Sequence, residues 1–198
     1  MDQTTYIPEK KSSLTKELFN FALIIIFIVL PIRLFIAQPF VVVGSSMEPT
    51  FMNNDYLIID ELNYRLNDPE RGEVVVFKYH NDDSSESKYF IKRIIGLPGE
   101  TVEIKNGEVR IFNADNQQGF VLDETYIKEP LSNTLIMKLD TDEYFVMGDN
   151  RDVSFDSRSW GALSKEDIVG RVFVRLLPVD QAGISPGSYV GQYADQIN

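Results

Sequence analysis

The sequence predicts a mainly β domain with antiparallel sheets, preceded by one transmembrane helix. Three observations predict this fold class: an apolar run over residues 18–37, short β-type runs separated by turn residues after Pro39, and an alternating hairpin pattern over Thr101–Phe112. With 198 residues, of which 43% are hydrophobic and 25% charged, the chain is long enough for one folded core. The segment 181–198 is small and polar, and it is predicted to be a flexible tail.

The apolar run at 18–37 is the candidate membrane anchor. Twenty helical residues rise about 30 Å, which is the hydrocarbon thickness of a bilayer, and the run carries a single charge, Arg33. The near absence of a polar face disfavours a buried core helix, and a cleaved signal peptide would need a small residue where Phe35 stands. An uncleaved anchor is therefore expected. The three lysines before it favour a cytoplasmic segment 1–17 and an extracytoplasmic domain over 38–180.

The composition excludes several classes of function. Thirty acids against 19 bases give a net charge of -11, which argues against a nucleic-acid partner. Residues 1–40 carry four bases and three acids, so the acidic charge belongs to the rest of the chain. The absence of cysteine excludes disulfides, thiol nucleophiles and thiolate zinc sites. His80 is the one histidine, so a hydrolase of this composition is expected to use another general base.

The extracytoplasmic region contains six β-type regions in sequence. They are Tyr56–Asp60, Glu73–Tyr79, Tyr89–Ile95, the hairpin Thr101–Phe112, Tyr144–Met147 and Ile168–Leu177. In the hairpin, Val102 and Ile104 alternate with charged residues, and the dipeptide Asn106-Gly107 is typical of a type I′ turn. Ser164 is the predicted start of a one-turn helix.

The first segment that could carry chemistry is Val43–Thr50. Gly44 permits backbone dihedrals that other residues avoid, and Pro49 fixes the exit from the turn. A serine in such a stiff turn can present its hydroxyl and a free backbone N–H at one place, as acyl transfer requires. Ser46 is therefore a candidate nucleophile, and an ordinary polar loop is the alternative interpretation.

The second segment is the predicted strand around Lys92. On a strand, Phe90, Lys92 and Ile94 share one face, so the lysine would be flanked by large apolar groups. Loss of water disfavours the ammonium form and can lower a lysine pKa from about 10.4 towards the range of a useful base. The alternative is an edge strand on which Lys92 lies in solvent beside Arg93.

The third segment, Gly148–Gly161, is rich in charged residues. A calcium loop does not fit, because the acids do not follow the required spacing and no glutamate closes the loop. A solvated loop remains open as an interpretation. A charge-paired network that supports a nearby site is the other, with Ser154 as a candidate hydrogen-bond partner for an amine.

Together these segments resemble the sequence boxes of bacterial type I signal peptidases, the S26 family. The matching stretches, in order, are Gly44–Phe51 for the nucleophile box, Arg71–Phe77 for a strand box, Phe90–Glu100 for the lysine box, Gly148–Gly161 for the last box, and Leu122–Lys128 for a weaker stretch. The resemblance runs from Leu18 to Pro178 and includes the anchor. It implies an antiparallel, barrel-like β catalytic domain of the type shared with repressor proteases.

The resemblance also implies a role for each matched polar residue. Ser46 matches the nucleophile and Lys92 the general base, while Ser154 matches the hydroxyl that orients the lysine. Asp156 and Arg158 match an ion pair that braces the lysine region. The further members of this supporting network are Asp149 and Arg151.

An apolar substrate pocket is implied in the same way, with walls formed by Met47, Phe77 and Phe90. Gly44 stands where some family members have a serine that helps to bind the oxyanion, so the Ser46 N–H would carry more of that task here. Val153 stands where asparagine is frequent, and little effect on the chemistry is expected.

The function implied by the resemblance is a membrane-bound serine endopeptidase of a bacterial cell membrane, with one span and a cytoplasmic N-terminus. It would remove signal peptides from exported preproteins after small residues at positions -1 and -3, with no metal or cofactor. Its partners would be signal peptides, the lipid bilayer and the neighbouring protein-export channel.

A self-cleaving repressor-type protease is disfavoured by the anchor and by the lack of a basic DNA-binding region. An inactive, membrane-anchored β-rich module that binds exported chains is the alternative from another class.

Overall fold

The computed structural model describes residues 14–29, 37–80, 88–127 and 134–190. The chain divides into two compact units, Met1–Ile36 and Ala37–Asn198. The second unit carries all the candidate site residues named above.

The first unit contains helix α1 (Leu14–Ile24), followed by a π-helical turn at Ile25–Val29. None of the residues of α1 is buried, and its large apolar side chains are exposed. Within the described residues, no helix combines the length and the apolar character needed to cross a bilayer. The predicted anchor over 18–37 is therefore not confirmed. Its limits also differ from the structure, because α1 begins at Leu14 and Ala37 belongs to a strand, while Arg33 lies outside the described residues.

The second unit is built from short strands. They are β1 (Ala37–Val41), β2 (Tyr56–Asp60), β3 (Val74–Tyr79), β4 (Lys88–Gly96), β5 (Thr101–Lys105), β6 (Glu108–Phe112), β7 (Phe120–Val121), β8 (Leu135–Lys138), β9 (Glu143–Met147), β10 (Leu163–Ser164), β11 (Ile168–Leu177) and β12 (Gly183–Ile184). The helical elements are α2 (Asn63–Leu66), α3 (Ser157–Trp160) and 3-10 turns at Lys165–Asp167 and Val179–Gln181.

The strands form two antiparallel sheets, which confirms the predicted mainly β, antiparallel fold. The larger sheet has the order β1-β2-β11-β3-β4-β9-β10, with β12 also paired to β11, and the smaller one has the order β7-β6-β5-β8. Among the described residues no strand pair closes either sheet into a barrel. The predicted hairpin is β5–β6, whose turn residues Asn106 and Gly107 have φ values of 53° and 88°, as a type I′ turn requires.

Two parts of the core position the site. In the smaller sheet, Val102, Ile104, Val109 and Ile111 are fully buried, as their alternation predicts. In the larger sheet, a cluster that includes Met47, Phe51, Leu57 and Val76 lies beneath the loop after β1. Each buried side chain of this size contributes about 1.5–3 kcal/mol, so this loop is fixed by its own apolar residues.

The structure corrects the predicted flexible tail for the part that it describes. The C-terminal segment, residues 183–190, begins with β12, in which Ile184 is opposite Val174 of β11. The Ser185 N–H donates to the Phe173 carbonyl at 2.6 Å, and the Tyr189 N–H donates to the Gly72 carbonyl at 3.2 Å. The small polar composition concealed this order because backbone hydrogen bonds need no apolar side chain. Residues 191–198 lie outside the described residues.

Candidate active site

Ser46 lies in the loop between β1 and β2. Gly44 has φ +97°, a left-handed conformation that glycine adopts without strain, and its N–H donates to Asn53 Oδ1 at 3.0 Å. Further along, the Phe51 N–H donates to the Met47 carbonyl at 2.9 Å, and both side chains are buried. The loop is thus held at both ends while Ser46 itself stays half-buried.

Lys92 approaches Ser46 from strand β4. Its Nζ lies 2.8 Å from Ser46 Oγ and 2.8 Å from the Ile91 carbonyl oxygen, to which it donates. β4 is an interior strand between β3 and β9, and Lys92 is 4% exposed. Within the described residues, the part of β4 before Arg93 pairs with β3 alone, but the alternative of a lysine that lies in solvent is wrong, because Lys92 is buried.

Burial controls the protonation of Lys92. Loss of water lowers the pKa of Lys92 from 10.5 to about 8, against the opposing charges of Asp156 and Asp149. An amine with that pKa is neutral for roughly a quarter of the time at pH 7.5, against about one part in a thousand for an unperturbed lysine. The neutral amine has a lone pair with which it can accept the Ser46 proton.

The segment that begins at Gly148 packs against the Ser46 loop. The Asn150 N–H donates to the Ser46 carbonyl at 3.0 Å, and Asn150 Nδ2 donates to the Ser45 carbonyl at 3.1 Å. There is no space for a side chain at Gly148, because a Cβ there would lie 2.4 Å from the backbone carbonyl oxygen of Ser46 and 2.2 Å from Ser154 Oγ. Neither Gly148 nor Asn150 was predicted to contact Ser46, although both lie inside the last sequence box.

Asp156 and Arg158 form the predicted ion pair. Arg158 Nε donates to Asp156 Oδ1 at 2.7 Å, and Asp156 is fully buried. Asp156 also caps α3 by accepting from the Arg158 N–H, and it accepts from the Gly148 N–H at 3.0 Å. The pair therefore fixes the turn that contacts Ser46.

Ser154 is not placed as the resemblance implied. Its Oγ is buried and has no hydrogen-bond partner among the described residues, so the expected hydrogen bond to Lys92 is absent there. Lys92 is instead hydrogen-bonded to Ser46 and to the backbone of Ile91. The Ser154 N–H donates to the Asn150 carbonyl at 3.1 Å, which holds the residue next to the site.

Arg93 is a site residue that the sequence analysis missed. Its guanidinium is fully buried, and Nε donates to Asp149 Oδ1 at 2.8 Å in a bidentate pair. Asp149 Oδ2 also accepts from Thr50 Oγ1 at 2.5 Å, which ties the pair to the Ser46 loop. Strand alternation was the available signal, since adjacent side chains point to opposite faces and an interior strand buries both.

Arg151 forms an ion pair with Glu124. Arg151 Nη1 donates to Glu124 Oε2 at 3.1 Å, and Nη2 contacts the other carboxylate oxygen. Arg151 Nε donates to the Gly148 carbonyl at 3.0 Å. The weaker stretch Leu122–Lys128 therefore supplies the charge partner, which local spacing could not reveal because the two residues are distant in sequence.

A cavity of about 350 Å³ opens beside Ser46 and Lys92. Two extended segments flank it, residues 40–43 from the end of β1 and residues 89–92 from β4. Val153 and Phe155 lie at one side of it and are exposed. Most of the lining residues are thus apolar, and the polar ones are Ser45, Ser46, Tyr89 and Lys92, which is typical of a ligand site.

The predicted pocket residues divide into two groups. Gly44 and Phe90 line the cavity. The prediction that Met47 and Phe77 form walls of the cavity is wrong. Met47 is buried beneath the loop, and Phe77 packs in another part of the core against Trp160. Their side chains support the walls from behind.

This arrangement can carry out nucleophilic acyl chemistry. A hydroxyl and an amine of lowered pKa are within hydrogen-bond distance, and the Ser46 N–H forms no hydrogen bond within the described residues. Within the same ranges no group of three or more His, Cys, Asp or Glu side chains is arranged to hold a metal ion.

Comparison with known proteins gives consistent matches. The family model described as signal peptidase, peptidase S26, matches residues 15–177. A probable signal peptidase I-2 of Synechocystis sp. is 45% identical over 158 residues, which cover 77% of this chain and 69% of the relative. A signal peptidase I of Leptolyngbya laminosa is 37% identical over 183 residues, which cover 89% and 86%. A solved signal peptidase I from Enterococcus faecalis is 27% identical, with a TM-score of 0.43 over 54% of this chain and 97% of that one.

Proposed function

The chain belongs to the signal peptidase family, peptidase S26, and we propose that it is a serine endopeptidase that removes signal peptides from exported preproteins. In this proposal Ser46 is the nucleophile and Lys92 the general base. The observation that carries it is the 2.8 Å contact between Lys92 Nζ and Ser46 Oγ, made by a lysine whose pKa burial lowers to about 8. The pair lies at the wall of an apolar cavity large enough for a peptide segment.

The chemistry follows from the two side chains. Neutral Lys92 accepts the hydroxyl proton as Ser46 Oγ attacks the peptide carbonyl, and the resulting ammonium gives that proton to the departing amine. The amine leaves with the mature protein, and the signal peptide stays bound to Ser46 as an ester. Lys92, neutral again, takes a proton from water, which attacks the ester and restores the serine hydroxyl when the ammonium returns the proton.

The Ser46 N–H is the proposed donor to the oxyanion. A backbone donor of this kind is typically worth about a hundredfold or more in rate. Gly44 faces open space, because a Cβ built there would meet nothing within 4 Å. The substrate carbonyl can therefore approach the loop closely at this position.

The edges of the cavity support an extended peptide as the substrate. Within the described residues, β1 pairs with β2 alone, and the part of β4 before Arg93 pairs with β3 alone. Both segments that flank the cavity therefore have backbone groups free to form hydrogen bonds with an added strand. Cleavage after small residues at -1 and -3 is part of the proposal. In an extended chain the side chains at these two positions point to the same side, so both would face the same wall of the cavity.

The location is proposed on the sequence pattern and on α1. The segment 1–17 would be cytoplasmic, 18–37 would be the single anchor in a bacterial cell membrane, and 38–180 would be the extracytoplasmic catalytic domain. The exposed apolar side chains of α1 support contact with a lipid bilayer. A position near the protein-export channel would follow from a substrate that is itself inserted in the membrane.

The test is processing of a purified preprotein by the full chain in detergent, with both products identified by mass. Ser46→Ala and Lys92→Ala should each abolish cleavage, because one lacks the nucleophile and the other the base. Ser159→Ala and Lys78→Ala are matched controls, since both of these residues are exposed and neither lines the cavity. Near-normal cleavage by Lys92→Ala would refute the Ser–Lys assignment.

The same assay separates the alternative of an inactive binding module. Such a module would bind the preprotein and leave it uncut in the wild-type chain. Cleavage by the wild type and its loss in Ser46→Ala would exclude that alternative, whereas the absence of cleavage in both would favour it.

A further inference from the structure

The C-terminal segment, residues 183–190, contacts the back of the site. The Gly187 carbonyl accepts a hydrogen bond from Arg93 Nη1. The Gly72 carbonyl accepts both from Arg93 Nη1, at 2.8 Å, and from the Tyr189 N–H, at 3.2 Å. These bonds attach the segment to the arginine that pairs with Asp149, although the family match ends at residue 177.

Two aromatic rings hold the Arg93 guanidinium. Its central carbon lies 4.1 Å from the centre of the Tyr126 ring and 4.9 Å from that of Tyr189. The two rings also contact each other, with centres 4.8 Å apart. Because the guanidinium is fully buried, the rings and Asp149 replace the water that it loses. Tyr189 therefore helps to fix the direction in which Arg93 presents its fork to Asp149.

Thr50 connects the Arg93–Asp149 ion pair to the Ser46 loop. Thr50 Oγ1 donates to Asp149, and the Thr50 carbonyl accepts from Arg175 Nη1 at 2.9 Å. Arg175 Nε in turn donates to the Gln181 carbonyl at 2.9 Å. Gly187 packs directly on Thr50, since a Cβ at that glycine would lie 2.3 Å from Thr50 Cγ2.

We infer that the C-terminal segment is a positioning element of the catalytic site. Tyr189 and Gly187 fix Arg93 and Thr50, and these two residues hold Asp149 and the Ser46 loop in the reactive arrangement. The inference rests on the proposed Ser46–Lys92 reaction. It assigns a functional role to a part of the chain whose composition predicted a loose end.

The segment also affects the charge around the base. Lys92 is faced by two carboxylates, Asp149 and Asp156, which are paired with Arg93 and Arg158 respectively. If the Arg93 guanidinium moves away from Asp149, it neutralises less of the Asp149 charge. That charge then favours the ammonium form of Lys92. The rising limb of the pH–rate profile would then move to higher pH. A loss of folded protein would lower the plateau of that profile without moving the limb.

The experiment compares Tyr189→Ala with Tyr189→Phe in the full chain, using steady-state cleavage of a preprotein from pH 6 to 10. Tyr189→Ala should lower kcat about tenfold, as small displacements of reacting groups do, and should move the limb to higher pH. Tyr189→Phe keeps the ring over the guanidinium and should stay within about twofold of wild type. Ser188→Ala is the matched control, since that side chain is exposed.

A second pair of variants keeps the test valid if Tyr189→Ala does not fold. Gly187→Ala should lower kcat, because the new Cβ displaces Thr50 and because alanine is strained at the Gly187 φ of +69°. Adding Thr50→Ser should restore the part of the loss that comes from the contact with Thr50. Serine keeps the hydroxyl that donates to Asp149 and lacks the methyl group that the new Cβ would meet.

The outcomes separate the two proposals. If the wild type cleaves and Ser46→Ala does not, the proposed function stands whatever the Tyr189 variants do. Against that background, a normal kcat and an unmoved limb in Tyr189→Ala would overturn the positioning role. A lowered plateau with an unmoved limb would overturn it as well, since that result indicates loss of folded protein alone. Full activity of Gly187→Ala would contradict the contact with Thr50.

Discussion

Replacing Lys92 by methionine should change how the stability of the protein depends on pH. Methionine is similar in length and carries no charge, so the variant lacks the ionisation of a buried amine. The native pKa of Lys92 is lowered to about 8 by burial, while the unfolded chain has the ordinary value of 10.5. Between these values the unfolded state binds a proton that the folded state does not, so the wild-type free energy of unfolding must rise with pH.

The magnitude follows from the two pKa values. One pKa unit corresponds to about 1.4 kcal/mol, so at pH 7 the buried ammonium lowers the stability of the wild type by about 3 kcal/mol. At pH 9.5 the amine of the folded protein is already neutral, and pH 9.5 lies one unit below the unfolded pKa of 10.5. The stability of the wild type is then lowered by only about 1.4 kcal/mol. The wild type should therefore gain about 2 kcal/mol relative to Lys92→Met over this pH range. The absolute difference at one pH also includes the lost hydrogen bonds to Ser46 and Ile91.

The assay is urea unfolding of both full-length proteins in detergent, followed by the fluorescence of Trp160, the single tryptophan. Trp160 packs on Phe77 and Tyr79, next to the strand that bears Lys92, so its emission reports on this region. Subtracting the two proteins at each pH cancels the groups that they share.

Lys78→Met is the control, because Lys78 is exposed on the neighbouring strand and keeps its water in the folded state. Its difference from the wild type should be constant across the pH range. An equally constant difference for Lys92→Met would refute the reasoning, since it would show that burial does not perturb the amine.

Three other predictions follow from the site. The value of kcat/KM should rise with pH to a midpoint near 8, because the proposed base is neutral Lys92; a flat profile from pH 6 to 9 would exclude a titrating lysine. Gly148→Ala should lower the rate of cleavage at least about a hundredfold, because its Cβ would lie 2.4 Å from the backbone carbonyl oxygen of Ser46; a normal initial rate would contradict this packing. Asp149→Asn removes the carboxylate that pairs with the buried Arg93 guanidinium, so the urea unfolding free energy should fall by about 3 kcal/mol. A fall below about 1 kcal/mol would show that the pair is not needed for stability.

Much of the fold was predictable from local patterns. The alternation of Val102 and Ile104 and the turn Asn106-Gly107 define the β5–β6 hairpin without any distant contact. β8 was not predicted, since Leu135–Lys138 has alternate exposure but no turn signal that separates it from its surroundings. β12 was not predicted either, because its two residues are held by backbone pairing alone.

The site was predictable where function depends on residue type and not where it depends on distant partners. Ser46 and Lys92 were identified by their sequence context, and the structure brings them together. Arg93 and Glu124 were not identified as site residues, because each acquires its role from a partner that lies distant in sequence, Asp149 for Arg93 and Arg151 for Glu124. The side-chain direction of Ser154 likewise depends on the packing of its loop on Gly148.

Lys92 and Arg93 are consecutive residues of one interior strand and serve opposite sides of it. Val75 and Val74 of β3 are their respective neighbours, so each cation has a fixed partner across the ladder. A slip of β4 by one residue against β3 would bring either the Arg93 guanidinium or the Ile91 side chain to Ser46 in place of the Lys92 amine. A guanidinium cannot be deprotonated in a protein and isoleucine has no titratable group, so the slipped strand would have no base in either case. In the proposed reaction the length of β4 is therefore constrained, and single-residue insertions or deletions in it should abolish activity even where the chain still folds.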